Sequence, residues 1–486
     1  MSDYEAVVRG GTVVAGDDVV RADIGIAGGR IAAIGMDLRG TVMIDAGGLL
    51  VLPGGVDTHC HIEQLQPPDA RGAYGADEET WVTGSRSCLL GGTTSVVSFS
   101  TQFKGGDLLT PLADYRRRAA AGAAVDYAFH QIIADATDAV IFEQIPQVVA
   151  QGVRSLKVFL TYDAVHLDDR GFLRVLAAAR RAGALVTVHC ENYEAIAWRT
   201  EALIAAGLTG PKYHAWSRPR MIEREATHRA IALAELVDQP IQVFHVSCAE
   251  VAAEIAAARA RGLKIWGETC PQYLTLTAAD MDRPGFEGAK FMCSPAPRDA
   301  ADHGGMWDML RAGVLDVVSS DHSGWSYDGT RGKQAHGDTA AFPAIANGIP
   351  GLAARLPLLF SEGVSAGRID LPAFARLTAT NPAALFGLTS KGSLAVGKDA
   401  DIVLFDPTRQ VTLTQGLMGH AIDYTPYEGR QVTGWPVATI LRGRLAMRDG
   451  AVLAEPGSGR YLARGMYDAI RPRGVLPDGF DASAWA

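Results

Sequence analysis

The sequence predicts an α/β protein, a (β/α)8 TIM-like barrel carrying a small β-sandwich formed by both chain termini. Three observations point there. Between about residues 53 and 385, apolar runs of strand length alternate with Ala-rich amphipathic stretches, and continuous apolar strands covered by helices mean a parallel sheet. Eight such runs can be counted, the number that closes a barrel of this length. The two ends of the chain share a different texture of short β segments broken by Gly. With 486 residues, 48% of them hydrophobic and 54 Gly to supply turns, the chain can bury one large core and a smaller one.

Taken in order, residues 1–52 form the first part of the sandwich, with strands over Ala6–Val14 and Asp23–Gly29. The barrel domain spans 53–390. Its strands are the run Leu50–Asp57, then Thr94–Ser100, Asp126–Ala134, Arg154–Tyr162, Leu185–Cys190, Pro240–Ser247, Lys264–Cys270 and Asp316–His322. Residues 391–455 return to the sandwich texture in Lys391–Phe405 and Ala438–Gly443, and 456–486 form a C-terminal arm. The arm carries Pro456, Pro472 and Pro477 and lacks periodicity, so it reads equally as a subunit contact or a solvated tail.

Polar residues gather at strand ends. His59 and His61 follow the first apolar run, and with a strand period of 2 both rings point to one side while Cys60 faces away. Lys157 lies inside the apolar strand Ser155–Leu160, where an unpaired ammonium costs several kcal/mol, so something must neutralise it. His189, His245 and Asp321 each end a further apolar run. Any one of these reads as a satisfied core polar group. Five strands ending this way read together as a metal centre at the C-terminal face of a barrel.

The rest of the composition limits partners and compartment. A net charge of −9 leaves no basic footprint, which argues against nucleic acid or anionic membranes as partners. The start, Met1-Ser2-Asp3-Tyr4-Glu5, has neither a basic nor an apolar export segment, and no run approaches 18 apolar residues. Six cysteines lack CxxC spacing and read as reduced thiols of a cytoplasmic enzyme.

The strand ends, together with Tyr213-His214-Ala215-Trp216-Ser217-Arg218-Pro219, Glu268-Thr269-Cys270-Pro271-Gln272-Tyr273, Met292-Cys293-Ser294-Pro295, Ser320-Asp321-His322 and Asn347-Gly348-Ile349-Pro350-Gly351, resemble the dihydropyrimidinase/hydantoinase family of cyclic amidohydrolases. The likeness runs from about residue 4 to residue 450. It implies that Lys157 is carboxylated and bridges two divalent metal ions, Zn2+ first, with Mn2+, Co2+ or Fe2+ as alternatives. His59, His61 and Asp321 would hold one metal with that carbamate, and His189 and His245 the other. The implied reaction opens a dihydropyrimidine or 5-substituted hydantoin to an N-carbamoyl amino acid, with a hydroxide shared by the two metals as nucleophile. Asp321 would be its proton carrier, Tyr162 the oxyanion donor, and main-chain groups of Ser294 and Asn347 the grip on the ring. A homotetramer is also implied. Two other readings stand beside this one: a different amidohydrolase reaction on allantoin, a cyclic imide or an N-acyl amino acid, and a non-catalytic scaffold.

Several residues receive plainer roles. Glu63 stands where dihydroorotases place a carboxylate-binding Arg, which disfavours a carboxylate-bearing ring, and the loop Gln64–Asp77 is expected to gate the exocyclic substituent. His322 should orient Asp321 or the attacking water, His130 and His166 should pack, and the runs Glu223-Arg224-Glu225 and Arg116-Arg117-Arg118 should be solvated helix faces.

Overall fold

The computed structural model describes residues 3–68, 74–76, 79–329 and 331–481. Its centre is a parallel sheet of eight strands: β1 (Gly55–Asp57), β2 (Thr93–Thr101), β3 (Asp126–Ile132), β4 (Ser155–Phe159), β5 (Leu185–His189), β6 (Ile241–Val243), β7 (Ile265–Thr269) and β8 (Val317–Val318). They are hydrogen-bonded to one another in chain order. The later strands are shorter than predicted because the backbone leaves the ladder at the site. His245, two residues beyond β6, has φ 41°, and Asp321, three beyond β8, has φ 49°. Both lie in the left-handed region that stops a strand.

Closure between β8 and β1 is made by other means. Cys60–His61 pairs in parallel with His322–Ser323, and the Asp321 amide donates to the His59 carbonyl at 2.8 Å. Below this, the buried Arg355 donates to the Val56 carbonyl of β1 (3.3 Å) and the Val318 carbonyl of β8 (3.0 Å). One guanidinium thus occupies carbonyls that the missing ladder would have left unpaired.

The covering helices follow from sequence in the ordinary way. In Asp169–Ala182 the Asp168 side chain caps the Gly171 amide, and Gly183 ends the helix with φ 70°. Phe172, Val175, Leu176 and Ala179 are buried, the i, i+3, i+4, i+7 spacing of one helical face.

Both termini join a separate nine-stranded sheet. Strand Tyr4–Ala15 pairs in parallel with Gly40–Asp45 over Tyr4–Arg9, then with Leu50–Pro53 over Thr12–Val13. At the switch Gly10 has φ 73°, and a Cβ on Gly11 would lie 2.4 Å from Val51, so only glycine fits. The C-terminal strands Ile402–Thr412, Gln431–Leu441, Arg444–Arg448 and Ala451–Val452 enter through antiparallel pairing with Leu50–Pro53. Val8, Ile24, Ile26, Leu404 and Ile440, drawn from both ends, share the sandwich core.

The last part of the arm, residues 482–486, lies outside the described residues. The described part is not a solvated tail. It packs on the barrel's own strands: Tyr127 exchanges backbone hydrogen bonds with Arg460 and Leu462, and the buried Arg464 donates to Ser155 Oγ at 2.9 Å. No helix of the described residues is long and apolar enough to cross a membrane.

Candidate metal centre and substrate cavity

The strand order brings the predicted side chains to one end of the barrel. All nine candidates, His59, His61, Lys157, Tyr162, His189, His245, Ser294, Asp321 and Asn347, line one cavity of about 350 Å3. A larger groove of about 910 Å3 on the outer face of the barrel contains none of them, and among its walls is His166.

Among the described residues His59, His61 and Asp321 form one tight cluster, their ligand atoms within 4.8 Å of one another. His59 Nε2 lies 3.0 Å and His61 Nε2 3.7 Å from Asp321 Oδ1. His189 and His245 stand outside that cluster, with ring centres 4.3 Å apart, and His245 reaches the His59 ring at 5.3 Å. Lys157 is fully buried, and its ammonium has no hydrogen-bond partner among the described residues. It lies over aromatic faces, 4.2 Å from the ring centre of Phe244 and 4.7 Å from that of Phe159. His61 Nδ1 and His245 Nδ1 are likewise buried without partners. Unpaired buried nitrogen atoms around a carboxylate are a donor set that fits cations.

Electrostatics agree with the geometry. Burial draws the Lys157 ammonium down to about 7, against the pull of Asp321 and Glu268. A lysine so placed is neutral in part at ordinary pH, which is the form that reacts as a nucleophile. Burial, and then the Lys157 charge, hold His189 well below the ordinary imidazole range; burial and then His189 do the same for His245. Burial works against charge on Asp321 too, but His59 and His61 overcome it and hold the carboxyl well below its usual range. Neutral imidazoles at His189 and His245 and an ionised Asp321 are the states in which such groups bind metal. At His59 burial works against charge, but the carboxylates of Asp321 and Glu268 outweigh it and raise the ring's pKa.

Tyr162 has φ 70° and stands just beyond β4, its ring 5.2 Å from that of His189. Asn347 Nδ2 donates to Tyr162 Oη at 3.0 Å and to Ser294 Oγ at 2.7 Å. The Asn347 side chain is therefore engaged, beyond the main-chain role the sequence suggested. By occupying a lone pair of the phenol it leaves the O–H free to donate into the cavity.

Supporting carboxylates escaped the sequence reading. Glu268 Oε1 meets His59 Nδ1 at 2.6 Å, fixing which ring nitrogen faces the cavity, and accepts the His245 amide at 3.3 Å. Glu191 Oε2 meets His189 Nε2 at 2.7 Å and accepts from Arg218 at the same distance. Their only signal was position: Glu268 on a predicted strand, Glu191 two residues past His189. Glu223 corrects an expectation. It is buried rather than solvated, accepting from the Ser247 amide at 2.9 Å, the Ser247 hydroxyl and Arg298 at 2.7 Å, while Arg224 and Glu225 are exposed. Three consecutive charges on a helix look alike in sequence, and only packing selects the one turned inward.

Arg118 is also turned inward, to Asp114 and to Glu63 at 3.3 Å, and Glu63 accepts the Trp81 amide instead of lining the cavity. His322 faces away from Asp321: it pairs with Glu79 and accepts the Gly351 amide at 3.1 Å, because that ring serves the barrel seam. His130 packs, bonded to the Thr58 carbonyl and Ser155 Oγ. Residues 69–73 and 77 of the expected gating loop lie outside the described residues; its flanks Leu65–Pro68 and Tyr74–Ala76 pair antiparallel.

Known proteins share this arrangement. The model of the amidohydrolase family matches residues 50–446. D-hydantoinases of Ralstonia pickettii and Rhizobium radiobacter are each 41% identical over 95% of this chain and 99% of their own sequences. A dihydropyrimidinase from Brevibacillus agri, 40% identical, superposes with a TM-score of 0.91, covering 95% of this chain and 99% of its own. With the same barrel, the same terminal sheet and a likeness that spans almost the whole chain, this protein belongs to the hydantoinase and dihydropyrimidinase branch of the amidohydrolase family.

Proposed function

We propose that this enzyme opens a cyclic amide, a dihydropyrimidine or a 5-substituted hydantoin, by adding water across the ring C–N bond to give an N-carbamoyl amino acid. The observation that carries the reading is the fully buried Lys157 ammonium, unpartnered among the described residues, in the same cavity as four histidines and Asp321. Converted to a carbamate it becomes an anion, and two cations beside it remove the cost of its burial. His59, His61, Asp321 and the carbamate would hold one cation, His189, His245 and the same carbamate the other. Zn2+ suits these nitrogen and oxygen donors best, ahead of Mn2+, Co2+ or Fe2+. When bound, the pair supplies Lewis-acid activation of water and of the scissile carbonyl.

The chain's own groups do the rest. Asp321, ionised, takes a proton from the attacking water and returns it to the leaving ring nitrogen. The Tyr162 hydroxyl donates to the carbonyl oxygen as negative charge builds there. Main-chain groups of Ser294 and Asn347 hold the –NH–CO–NH–CO– edge. Phe103, Ile132, Phe159, Val165 and Trp325 also line the cavity and make part of it apolar, which supports a substrate bearing an apolar exocyclic group.

Exposed Trp198 (69%), Trp216 (54%) and Met221 (55%), carried on three consecutive helices, support a homo-oligomer, which we take to be a tetramer. Six buried free thiols support a cytoplasmic setting. The test is a substrate panel of dihydrouracil, hydantoin, 5-phenylhydantoin, allantoin, succinimide and N-acetyl amino acids with metal-loaded protein. Preference for the first three supports the reading; turnover confined to the others overturns it.

A further inference from the structure

Outside the metal cluster the molecule holds a second fully buried lysine, Lys333. Among the described residues it has no carboxylate partner. Its ammonium donates to three main-chain carbonyls, Met292 at 3.3 Å, Ala346 at 2.9 Å and Gly348 at 2.9 Å. An ammonium has three N–H donors and no acceptor, so three carbonyls saturate it. Burial draws it down to about 7, and among the described residues no carboxylate offsets this. A lysine kept at such a cost is bound to what it holds together.

Those carbonyls belong to the two segments that carry Ser294 and Asn347. Met292 precedes Cys293 and Ser294, while Ala346 and Gly348 flank Asn347. The segments also touch directly: the Gly348 amide donates to the Met292 carbonyl at 3.0 Å. Gly348 has φ 130°, and a Cβ there would lie 2.5 Å from Ser323, so this crossing admits glycine alone. On the cavity side, the Asn347 side chain spans from Ser294 Oγ to Tyr162 Oη. Lys333 is absent from the cavity wall and stands behind it.

We propose that Lys333 is a positioning residue for substrate binding, its ammonium tying the 292–294 and 346–348 segments into one rigid surface that meets the imide edge of the ring. The inference rests on the proposed ring-opening reaction. Lys333 touches neither the ring nor the metal ligands, so its removal loosens the ground-state grip while leaving the metal donors in place. A general loss of folding would instead lower metal content and turnover together.

The experiment compares wild type with Lys333→Met, which keeps the length of the side chain and removes all three donors. Both are loaded with Co2+, and KM and kcat are measured on the best ring of the panel together with the visible cobalt spectrum. The proposal predicts a KM about tenfold higher or more, a smaller change in kcat and an unaltered spectrum. Wild-type KM in the folded, cobalt-loaded variant would overturn it, as would a fall in kcat alone. Should Lys333→Met fail to fold, Lys333→Leu, which likewise removes all three donors, is read in the same way: a raised KM supports the proposal and a wild-type KM overturns it. If wild type loaded with metal opens no ring at all, the functional reading fails first, before any variant is compared.

Discussion

A lysine buried in the middle of a strand against three phenylalanine rings is stable only as something other than a lone ammonium. Lys157→Ala should therefore lose bound metal and activity together, with elemental analysis as the check, and an added short-chain carboxylate should restore part of both. Full metal content in that variant would refute the bridging role. Tyr162→Phe removes one hydroxyl and keeps the ring, so fold and metal should survive while kcat falls by about 10²-fold or more. Asp321→Asn should lower turnover by a similar or larger factor, about 10²- to 10⁴-fold, while retaining much of the metal. Tyr162, His245 and Asp321 all have positive φ. Non-glycine residues hold that conformation at a cost of order 1–3 kcal/mol each, and its concentration at one site is expected where geometry serves chemistry.

At the scale of elements, the site exists because parallel strands deliver their C-terminal ends to one face. Lys157 and His189 lie within β4 and β5, whereas His59, His245 and Asp321 lie just past β1, β6 and β8. The period-2 reading of the His59 and His61 pair and the apolar runs before the other residues were enough to find them. Glu268, on β7, was legible only as one more buried polar group, since its bond to His59 joins residues 209 positions apart. Glu268→Gln should leave the strand intact but loosen the orientation of His59, weakening metal affinity by about 10- to 100-fold in a competition titration. Unchanged affinity would show that the ring is oriented by other contacts.

For the whole molecule, barrel and terminal sheet are locked by a buried ion cluster. Lys391 donates to Asp126 of β3 at 2.6 Å and to Asp401 at 2.8 Å, and Asp399 lies 3.0 Å away. Burial disfavours its charge, but the carboxylates of Asp401 and Asp126 win and raise it. Lys391→Met leaves the buried Asp401 carboxylate without a cation among the described residues, while Asp126 keeps its pair with Arg442. Breaking such a buried pair costs about 3 to 5 kcal/mol, so the unfolding temperature should drop while kcat per metal-loaded chain stays unchanged. A fall in kcat without loss of stability would contradict this purely architectural role. The sequence showed the barrel through its alternating runs and the terminal layer through its Gly-broken strands, because both rest on local periodicity. It hid the Arg355 seam, the Lys391 cluster and the packing of the arm, because each is a pairing across hundreds of residues that no local pattern encodes.

The central claim is that the residues at the mouth of the barrel hold cations that open a cyclic amide. The most direct measurement is ring opening of dihydrouracil and 5-phenylhydantoin by the protein as purified, after exhaustive chelation, and after Zn2+ is returned. The account predicts turnover that vanishes with the metal and recovers as about two equivalents per chain are restored. Turnover that persists in fully metal-depleted protein, or no ring opening at two equivalents, would contradict it.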